Sequence, residues 1–378
     1  MPSGNLGGGT GTQENPYEVW DIDDLNSLRG LANSSTSRIF FNFKSDIDFT
    51  ADSRYRTNFD TIRFGNNTSG TSNWDFVDID GEGHTLYNFR QNGTSTTASV
   101  GLFRFINGSI KNLTFQNCHI QGNVSATRAV LVQNFTTELV ENIKIFGEMI
   151  LTSNSNSNHG VGIASLVSGI SSLVVFQNCM VGLRVNTNSS FFGFCSRNFA
   201  DFTFNNCISS CEITFTGLGT SSHCSGFMGL SGQTVNDSGT YIFNSCISDC
   251  SFICRNSWNY FSAVVAGFRT RASGSNTTTS SFIDCVSRCR FDGGHPSSRP
   301  TDMAAFAPIG VTASNTTRCY SLCTYDLRDS TGNISGGDGL ILFDYENSGL
   351  PLSRFTDGAT RSLTTAQMKD ESYLTTRD

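Results

Sequence analysis

Short runs of alternating apolar and polar residues fill much of the chain, and several of these runs share one sequence. The clearest run is FNNCISSCEITF, from Phe204 to Phe215, which returns as FNSCISDCSFIC from Phe243 and as FIDCVSRCRFDG from Phe282. A weaker copy, TTRCYSLCTYDL, begins at Thr316. A period of two residues is typical of a strand with one buried face. The pattern therefore predicts strands joined by turns.

The repeated unit also contains a Gly-Phe segment that lies apart from the cysteine run. Examples are GLFRFI from Gly101 and SGFMGL from Ser225, and the loops between copies are rich in Ser, Thr and Asn. Strand-loop-strand units repeated along one axis indicate a β-solenoid, whose coils stack about 4.8 Å apart. We predict an all-β fold, a single-stranded right-handed parallel β-helix of roughly ten coils, with the hand taken from the crossover preference of parallel strands.

The alternation orients each repeat relative to the core. We expect the following residues on the buried face: Cys211, Ile213 and Phe215, Cys250, Phe252 and Cys254, and Cys289 and Phe291. The first cysteine of each pair is out of phase with the Phe before it, so a corner separates them at Asn206, Ser245 and Asp284, where such residues accept unusual dihedral angles. At the next bend, Ser209, Asp249 and Arg288 are expected to face solvent.

The two ends differ from the repeats. Val19, Ile22, Leu25 and Leu28 have helical spacing and follow a glycine-rich start, so residues 1–35 are predicted to form an arm and a short capping helix. A cap would cover the open core and the edge strand of the first coil. Residues 36–345 would form the parallel β-helix, and residues 346–378 a C-terminal cap with a second short helix over LTTAQMKDESYL, from Leu363 to Leu374.

The paired cysteines invite three interpretations, which are core packing, disulfides and a metal site. We interpret them as a structural ladder of free thiols, because buried free cysteine packs as a small hydrophobe and a ladder spreads its members along an axis. The ladder comprises Cys207, Cys211, Cys246, Cys250, Cys285, Cys289, Cys319 and Cys323. Disulfides between approaching cysteines of adjacent coils and metal binding by cysteines remain alternatives. No metal or other cofactor is expected.

Composition and charge narrow the function classes. The chain has a formal net charge of −7 and no run of basic residues, which argues against nucleic-acid binding. It has no apolar stretch of the length that inserts in a membrane and no apparent secretory signal. Thirteen cysteines, an odd number, fit synthesis in a reducing compartment.

Candidate chemistry is sparse. Glycan hydrolysis would require two carboxylates about 5 to 9.5 Å apart, but the acidic stretches at Asp21–Asp24, Asp75–Asp80 and Asp326–Asp329 fit turns and a cap better. No catalytic residue is therefore assigned. One loop, CRNSWNYFSA, combines aromatic, amide and guanidinium groups suited to stacking on a sugar or a protein partner. Its candidate binding residues are Arg255, Asn256, Trp258, Asn259 and Tyr260.

Several segments resemble right-handed parallel β-helix proteins of bacteria and their phages. GTGTQENPYEVWDIDDLNSL from Gly9 resembles their entry segment, FVDIDGEGHTLYNF from Phe76 resembles their first coil, and GLFRFINGSIKNLTFQNCHIQGNV from Gly101 is similar to a GLUG-type repeat. SLTTAQMKDESYL from Ser362 resembles the segment that closes GLUG-containing surface proteins. The resemblance covers both ends and the repeats. It implies an adhesin, a phage tail or fibre protein, or part of a larger enzyme, and it implies a homotrimer for the phage case.

Together these observations predict a non-enzymatic, phage-like viral protein, a fibre, spike or capsid-decorating subunit. Its expected partners are a host surface glycan or other virion proteins, and it would be made in the host cytoplasm and assembled into a virion. The first alternative is a bacterial surface adhesin with GLUG-type repeats, located outside the cell. The second is a glycan-degrading β-helix enzyme such as a polysaccharide depolymerase.

Overall fold

The chain is a stack of coils built from short parallel strands. A computed structural model describes residues 6–31, 38–62, 77–93, 101–122, 128–135, 139–152, 159–166, 173–197, 201–216, 223–230, 239–254, 264–270, 279–292, 302–306, 316–326, 333–334, 341–344 and 361–363. Three parallel sheets, of 24, seven and five strands, contain nearly all the regular structure of these residues. The prediction of an all-β, solenoidal fold with parallel strands is confirmed at this level.

The strands form five ladders that follow one another around each coil, the first three within the 24-stranded sheet. Ladder I contains β1 (Tyr17–Val19), β2 (Ile39–Phe43), β4 (Val77–Asp80), β8 (Ser109–Gly122), β11 (Leu139–Leu151), β14 (Leu173–Gln177), β18 (Asp201–Asn205), β23 (Thr240–Asn244), β27 (Thr279–Ile283) and β31 (Thr316–Thr317). Nine successive parallel pairings join these ten strands of the described chain.

Ladders II and III continue each coil beyond a corner. Ladder II contains β3 (Ile47–Asp48), β5 (Thr85–Tyr87), β15 (Met180–Thr187), β19 (Ile208–Ser209), β24 (Ile247–Ser248), β28 (Val286–Ser287), β32 (Cys319–Ser321), β35 (Ile341–Asp344) and β36 (Arg361–Leu363). Ladder III contains β6 (Arg90–Gly93), β20 (Glu212–Phe215), β25 (Ser251–Cys254), β29 (Arg290–Asp292) and β33 (Thr324–Asp326). The long strands β8 and β11 run through all three ladders, and β15 runs through the second and third.

Ladders IV and V complete the coil and are joined by a tight bend. Ladder IV contains β9 (Arg128–Ala129), β12 (His159–Val161), β16 (Ser190–Phe192), β21 (His223–Ser225), β26 (Val264–Ala266), β30 (Asp302–Ala304) and β34 (Asn333–Ile334). Ladder V contains β7 (Phe103–Ile106), β10 (Val132–Phe135), β13 (Ala164–Leu166), β17 (Cys195–Arg197) and β22 (Met228–Leu230).

Two columns of phenylalanine rings form the centre of the core. In the first column, Phe176, Phe204, Phe243 and Phe282 stack with ring centroids 5.0, 4.9 and 4.8 Å apart. The second column contains Phe194, Phe227, Phe268 and Phe306, spaced by 4.7, 4.8 and 5.0 Å. The columns meet edge to face, as between Phe227 and Phe243 at 5.8 Å and 89°. Rings thus stack along the axis and contact one another edgewise across it, both favourable aromatic geometries.

The predicted corner lies between ladders I and II. Asn206, Ser245 and Asp284 have φ angles of 52°, 53° and 54°, in the left-handed region. The preceding Asn178 and the following Arg318 share this geometry, with φ angles of 54° and 49°. Asparagine tolerates this conformation better than most residues, which explains its recurrence at the turn.

The next bend corrects one prediction. Asp249 and Arg288 are exposed as expected, but Ser209 is fully buried. The strand register pairs Ser209 with Ser248, and Ser248 with Ser287, so these three serines form an inward row. The exposed equivalent of Asp249 is Ser210.

Glycines at the bend between ladders IV and V pack against the inward serine row. A Cβ atom added to Gly226 would lie 2.2 Å from the Gly267 carbonyl oxygen and 2.4 Å from Ser248 Oγ. At Gly267 the same atom would lie 2.5 Å from Ser287 Oγ. The Gly-Phe segment and the cysteine run of the sequence are therefore two opposed parts of one packed coil.

The N-terminal cap is shorter than predicted. The helix α1 spans Ile22–Ser27 and is followed by a 3₁₀ turn at Leu28–Gly30, whereas Val19 belongs to strand β1. Asp21 caps the helix by accepting hydrogen bonds from the Asp23 and Asp24 amides, each at 2.9 Å. Of the helices in the described part of the chain, none has the length and apolar character required to cross a bilayer.

The glycine-rich start covers the outer edge of the first strand. Gly8 pairs antiparallel with Glu18, through hydrogen bonds that join Gly7 to Glu18 and Glu18 to Gly8. Gly9, with a φ of 80°, approaches Pro16 so closely that a Cβ atom would lie 1.8 Å from its carbonyl oxygen. This segment forms hydrogen bonds with backbone groups at the edge of the stack, which would otherwise be free to pair with another strand.

At the other end, the predicted second helix lies almost wholly outside the described residues. Of Leu363–Leu374, the structure describes Leu363 alone, at the end of strand β36. That strand pairs in parallel with β35, so Leu363 extends the ladder II stack.

Replacing Gly226 with alanine should destabilise the fold. The added methyl group would meet a backbone carbonyl and a buried hydroxyl, and overpacking of this kind costs about 1–3 kcal/mol. We expect a lower urea midpoint for Gly226→Ala than for the unchanged chain. Ser210→Ala, at an exposed position of the same coil, is the control and should leave the midpoint nearly unchanged. Equal midpoints for the two variants would show that the bend does not pack as described.

The corner geometry predicts opposite outcomes for two substitutions of Asn206. Both remove the hydrogen bond from Asn206 to Asn178 Oδ1, at 3.3 Å. Only valine is strained at a positive φ, by roughly 1–2 kcal/mol, whereas glycine adopts it freely. Asn206→Val should therefore unfold at lower temperature than Asn206→Gly in calorimetry, and the reverse order would contradict a left-handed corner.

Candidate binding surface

The loop that the sequence marked as a binding site lies outside the described residues. Arg255, Asn256, Trp258, Asn259 and Tyr260 all follow strand β25, which ends at Cys254. Their assignment as binding residues stays a prediction. The surfaces described below are built from the neighbouring coils.

The eight cysteines of the predicted ladder are all buried, with exposures of 2% or less, and all are free thiols. The strand register arranges them in two columns. The first thiol column comprises Cys179, Cys207, Cys246, Cys285 and Cys319, and the second thiol column comprises Cys211, Cys250, Cys289 and Cys323. The structure thus places these residues in the core. The side chain of Cys254 lies outside the described part.

The thiols are integrated into the hydrogen bonding of the stack. In the first column each thiol donates within its own coil, Cys207 to the Asn205 carbonyl and Cys246 to the Asn244 carbonyl, both at 3.3 Å. Cys246 also reaches the Phe204 carbonyl of the preceding coil at 3.3 Å. In the second column a buried serine hydroxyl contacts the sulfur of the next coil, as between Ser209 and Cys250 at 3.3 Å.

Burial opposes the ionisation of Cys246, Cys250 and Cys323, but hydrogen bonds from neighbouring thiols outweigh it and lower the pKa of these three groups. In other thiols of the core, burial dominates. It raises the pKa of Cys207 and Cys289 well above the ordinary value, because the thiolate would lose its hydration. The same cause raises the pKa of Cys118 and Cys224, which stand outside the columns, to about 12. The thiolate is both the nucleophile and the metal ligand, so burial keeps these four thiols in their less reactive, protonated form at neutral pH.

On the outside of the same corner lies a surface that we call the outer face. It is the solvent side of ladder II, and its central row is partly exposed and apolar: Met180, Ile208, Ile247, Val286 and Tyr320. Consecutive members are register partners, so the row is continuous over five coils. At a coil rise of about 4.8 Å, it extends about 19 Å along the stack.

Two exposed rows flank the apolar row, and all their members are polar except Leu322 at the end of the second. On one side are the left-handed corner residues Asn178, Asn206, Ser245, Asp284 and Arg318, and on the other side Ser210, Asp249, Arg288 and Leu322. Asp249 and Arg288 form an ion pair at 3.0 Å, and Arg318 approaches Asp284 at 2.6 Å. Exposed pairs of this kind contribute little stability, but they fix charged groups beside the apolar row.

The sequence contains a signal for this surface that the predictions above did not use. Each cysteine pair has an apolar residue immediately after its first cysteine, namely Ile208, Ile247, Val286 and Tyr320. Since the first cysteine points inward, the alternation of a strand directs its neighbour outward. A row of outward apolar residues in consecutive repeats is therefore readable from the sequence once the corner is located.

Two aspartate carboxylates on the surface of the coils, those of Asp80 and Asp48, accept hydrogen bonds from neighbouring side chains. Asp80 accepts from Asn112 at 3.0 Å and pairs with Lys111 at 3.1 Å. Partial burial opposes ionisation of Asp80, but the hydrogen bonds outweigh it and lower the pKa of this carboxyl. Hydrogen bonds from Asn88 and Thr50 likewise lower the pKa of Asp48. Within the described ranges, no three His, Cys, Asp or Glu side chains converge as a metal site would require.

Comparison with known proteins gives two matches. No protein-family model matches the chain. Over 141 residues it is 33% identical to Halomucin from Haloquadratum walsbyi (strain DSM 16790 / HBSQ001), and this region is 34% of the chain but 2% of the relative. A crystal structure from Bacteroides ovatus, named a “putative immunoglobulin A1 protease”, aligns with 89% of this chain and 86% of its own, at 15% identity and a TM-score of 0.43.

Thiol labelling tests the buried columns. In the freshly reduced native protein at pH 7, maleimide should modify the column cysteines slowly, because they are buried and inaccessible. In denaturant without reductant, the same cysteines should label completely. Rapid native labelling, or thiols that stay blocked until a reductant is added, would contradict the free, buried columns; peptide mass spectrometry resolves the individual sites.

Proposed function

We propose that this chain is a non-enzymatic, adhesin-like attachment protein whose outer face binds a macromolecular partner. The observation that carries the proposal is the apolar row over five coils, from Met180 to Tyr320, which lies between two rows of mainly polar residues. An apolar centre with a polar rim is the usual anatomy of a protein-binding surface.

The architecture supports this role. Stacked rings and in-register strands make a rigid wall, as Phe204 and Phe243 illustrate with parallel rings 4.9 Å apart. Side chains placed on such a wall keep their relative positions, so little conformational entropy is lost when a partner binds. The finer form of the fold that we propose is a right-handed parallel β-helix, by the crossover preference of parallel strands.

A protein is the partner class that the outer face favours. Its central row has no hydroxyl or amide group except the Tyr320 hydroxyl, whereas a sugar would be recognised through hydrogen bonds and aromatic stacking. Ion pairs at Asp249–Arg288 and Asp284–Arg318 lie at the rim, where charges direct the orientation of a partner. Glycan binding by the loop at Arg255–Tyr260 stays a separate prediction, as do the homotrimer, the virion location and the cell-surface alternative.

The aspartates of the described coils give less support to the enzymatic alternative. A glycan hydrolase requires one carboxylic acid whose pKa is raised, facing a second carboxylate. Hydrogen bonds lower the pKa of both Asp48 and Asp80 instead. Asp24 does have a raised pKa through burial, but its carboxylate accepts the Trp20 amide at 3.0 Å within the N-terminal cap.

Charge substitutions on the outer face test the proposal. The biotinylated chain would be immobilised on beads, and its retention of intact bacterial cells from a panel would be measured by flow cytometry. Ile247→Lys should reduce retention by roughly tenfold or more, the size expected when a charge enters the apolar centre of an interface. Its control is Ile242→Lys, a partly exposed isoleucine of the same coil on ladder I, which should retain cells as the unchanged chain does.

Equal loss in both variants, or retention by neither variant nor the unchanged chain, would contradict binding through the outer face. A second assay addresses the enzymatic alternative. The purified chain is incubated with capsular polysaccharides from the same panel, and the supernatant is examined for oligosaccharides. Their release by the chain would overturn the non-enzymatic assignment.

A further inference from the structure

The two thiol columns place cysteine beside cysteine on consecutive coils. The register pairs Ile208 with Ile247 and Ile247 with Val286, so the preceding cysteines, Cys207, Cys246 and Cys285, are also neighbours. In the second column the pairing of Glu212 with Ser251 makes Cys211 and Cys250 neighbours in the same way. Every column member therefore has another thiol on at least one adjacent strand.

The backbone spacing suits a covalent bond between such neighbours. Paired strands lie about 4.8 Å apart, and disulfides form between Cα atoms about 4.4–6.8 Å apart. The sulfurs of the first column occupy equivalent positions, since Cys207, Cys246 and Cys285 each lie 3.3 Å from the carbonyl oxygen two residues earlier. In the second column, the Cys250 sulfur lies 3.4 Å from the Cys211 amide nitrogen of the adjacent coil. Rotation of two side chains toward each other would bring adjacent sulfurs together without separating the strands.

We propose that the two thiol columns are a site of oxidative cross-linking, at which disulfides join consecutive coils when the chain meets a disulfide-forming oxidant. In each step two thiols lose two protons and two electrons, and one S–S bond forms. Hydrogen peroxide accepts the two protons and two electrons and becomes two molecules of water. Because each sulfur forms one bond, the five-membered column holds at most two disulfides and leaves one thiol, and the four-membered column holds two.

The disulfides would join consecutive coils in the same direction as the hydrogen bonds between strands and the stacking of the rings. A disulfide between Cys207 and Cys246 closes a loop that contains one whole coil, which restricts the unfolded chain without changing the outer face. The chain would thus mature from a reduced, folded stack to a cross-linked one. This inference is independent of the proposed function, because the columns face the core and the outer face does not.

The experiment uses the full chain, reduced and then freed of reductant. It is incubated natively with diamide, which takes up two hydrogens for each disulfide formed, and remaining thiols are blocked with N-ethylmaleimide. Non-reducing peptide mass spectrometry should find links between column neighbours, such as Cys207–Cys246 and Cys211–Cys250. The Tm of the oxidised chain should exceed that of the reduced chain by several degrees.

Three other cysteines are matched internal controls. Cys118, Cys195 and Cys224 are equally buried, but none of their register partners named here is a cysteine. Cys118 pairs with Gly147, Cys195 with Ala164 and Met228, and Cys224 with Phe191 and Val265. They should remain unlinked and be alkylated after denaturation. Links that involve them as often as column members, or no link at all while the denatured chain oxidises readily, would overturn the proposal.

A single substitution sharpens the test. Cys246→Ser interrupts the first column, so Cys207 should link only to Cys179, and Cys285 only to Cys319. A Cys207–Cys285 link should not form, because those residues are two coils apart, at about 9.6 Å. The second column should link as before. Appearance of the two-coil link would show that disulfides form after unfolding and not in the stack.

Discussion

The in-register hydrogen bonding of parallel strands is the constraint on which the structure depends. When each strand pairs with its equivalent in the next coil, every side chain lies about 4.8 Å from its counterpart above and below. Each side chain must therefore pack well against the side chain at the same position in the next coil. Flat rings satisfy this condition well, as the parallel rings of Phe227 and Phe268 show at 4.8 Å. Small thiols satisfy it where a corner leaves too little room for a ring.

The same constraint organises the polar groups. A buried hydroxyl in one coil requires a partner, and groups of the same or the next coil can supply it. Ser248 illustrates this, since its hydroxyl lies 3.3 Å from the Cys289 sulfur and also contacts the Gly267 carbonyl at 2.5 Å. Buried serine and cysteine thereby satisfy each other, and the bend glycines leave the space in which they do so.

Outside the core, stacking turns single residues into surfaces. One partly exposed isoleucine is ordinary on a protein, but a row that includes Ile208, Ile247 and Val286 is a continuous apolar strip. The corner residues beside it change from Asn206 to Asp284 and Arg318 along the axis, so the rim differs from coil to coil while the strip continues. Such a surface can select a partner by its rim and hold it by its centre, which is the physical basis of the function proposed here.

Much of this architecture can be predicted from the amino-acid sequence. The alternation around Cys211, Ile213 and Phe215 determined the inward face, and the out-of-phase first cysteine located the corner at Asn206, because a strand has a fixed period of two. The sequence did not determine which residues oppose one another. Helix α1 starts at Ile22 because Val19 is taken into a strand that pairs with Phe43, a distant residue that no local pattern indicates. Register, the approach of Gly226 to Ser248 and the alignment of thiols into columns are contacts between distant parts of the chain, so only the tertiary structure decided them.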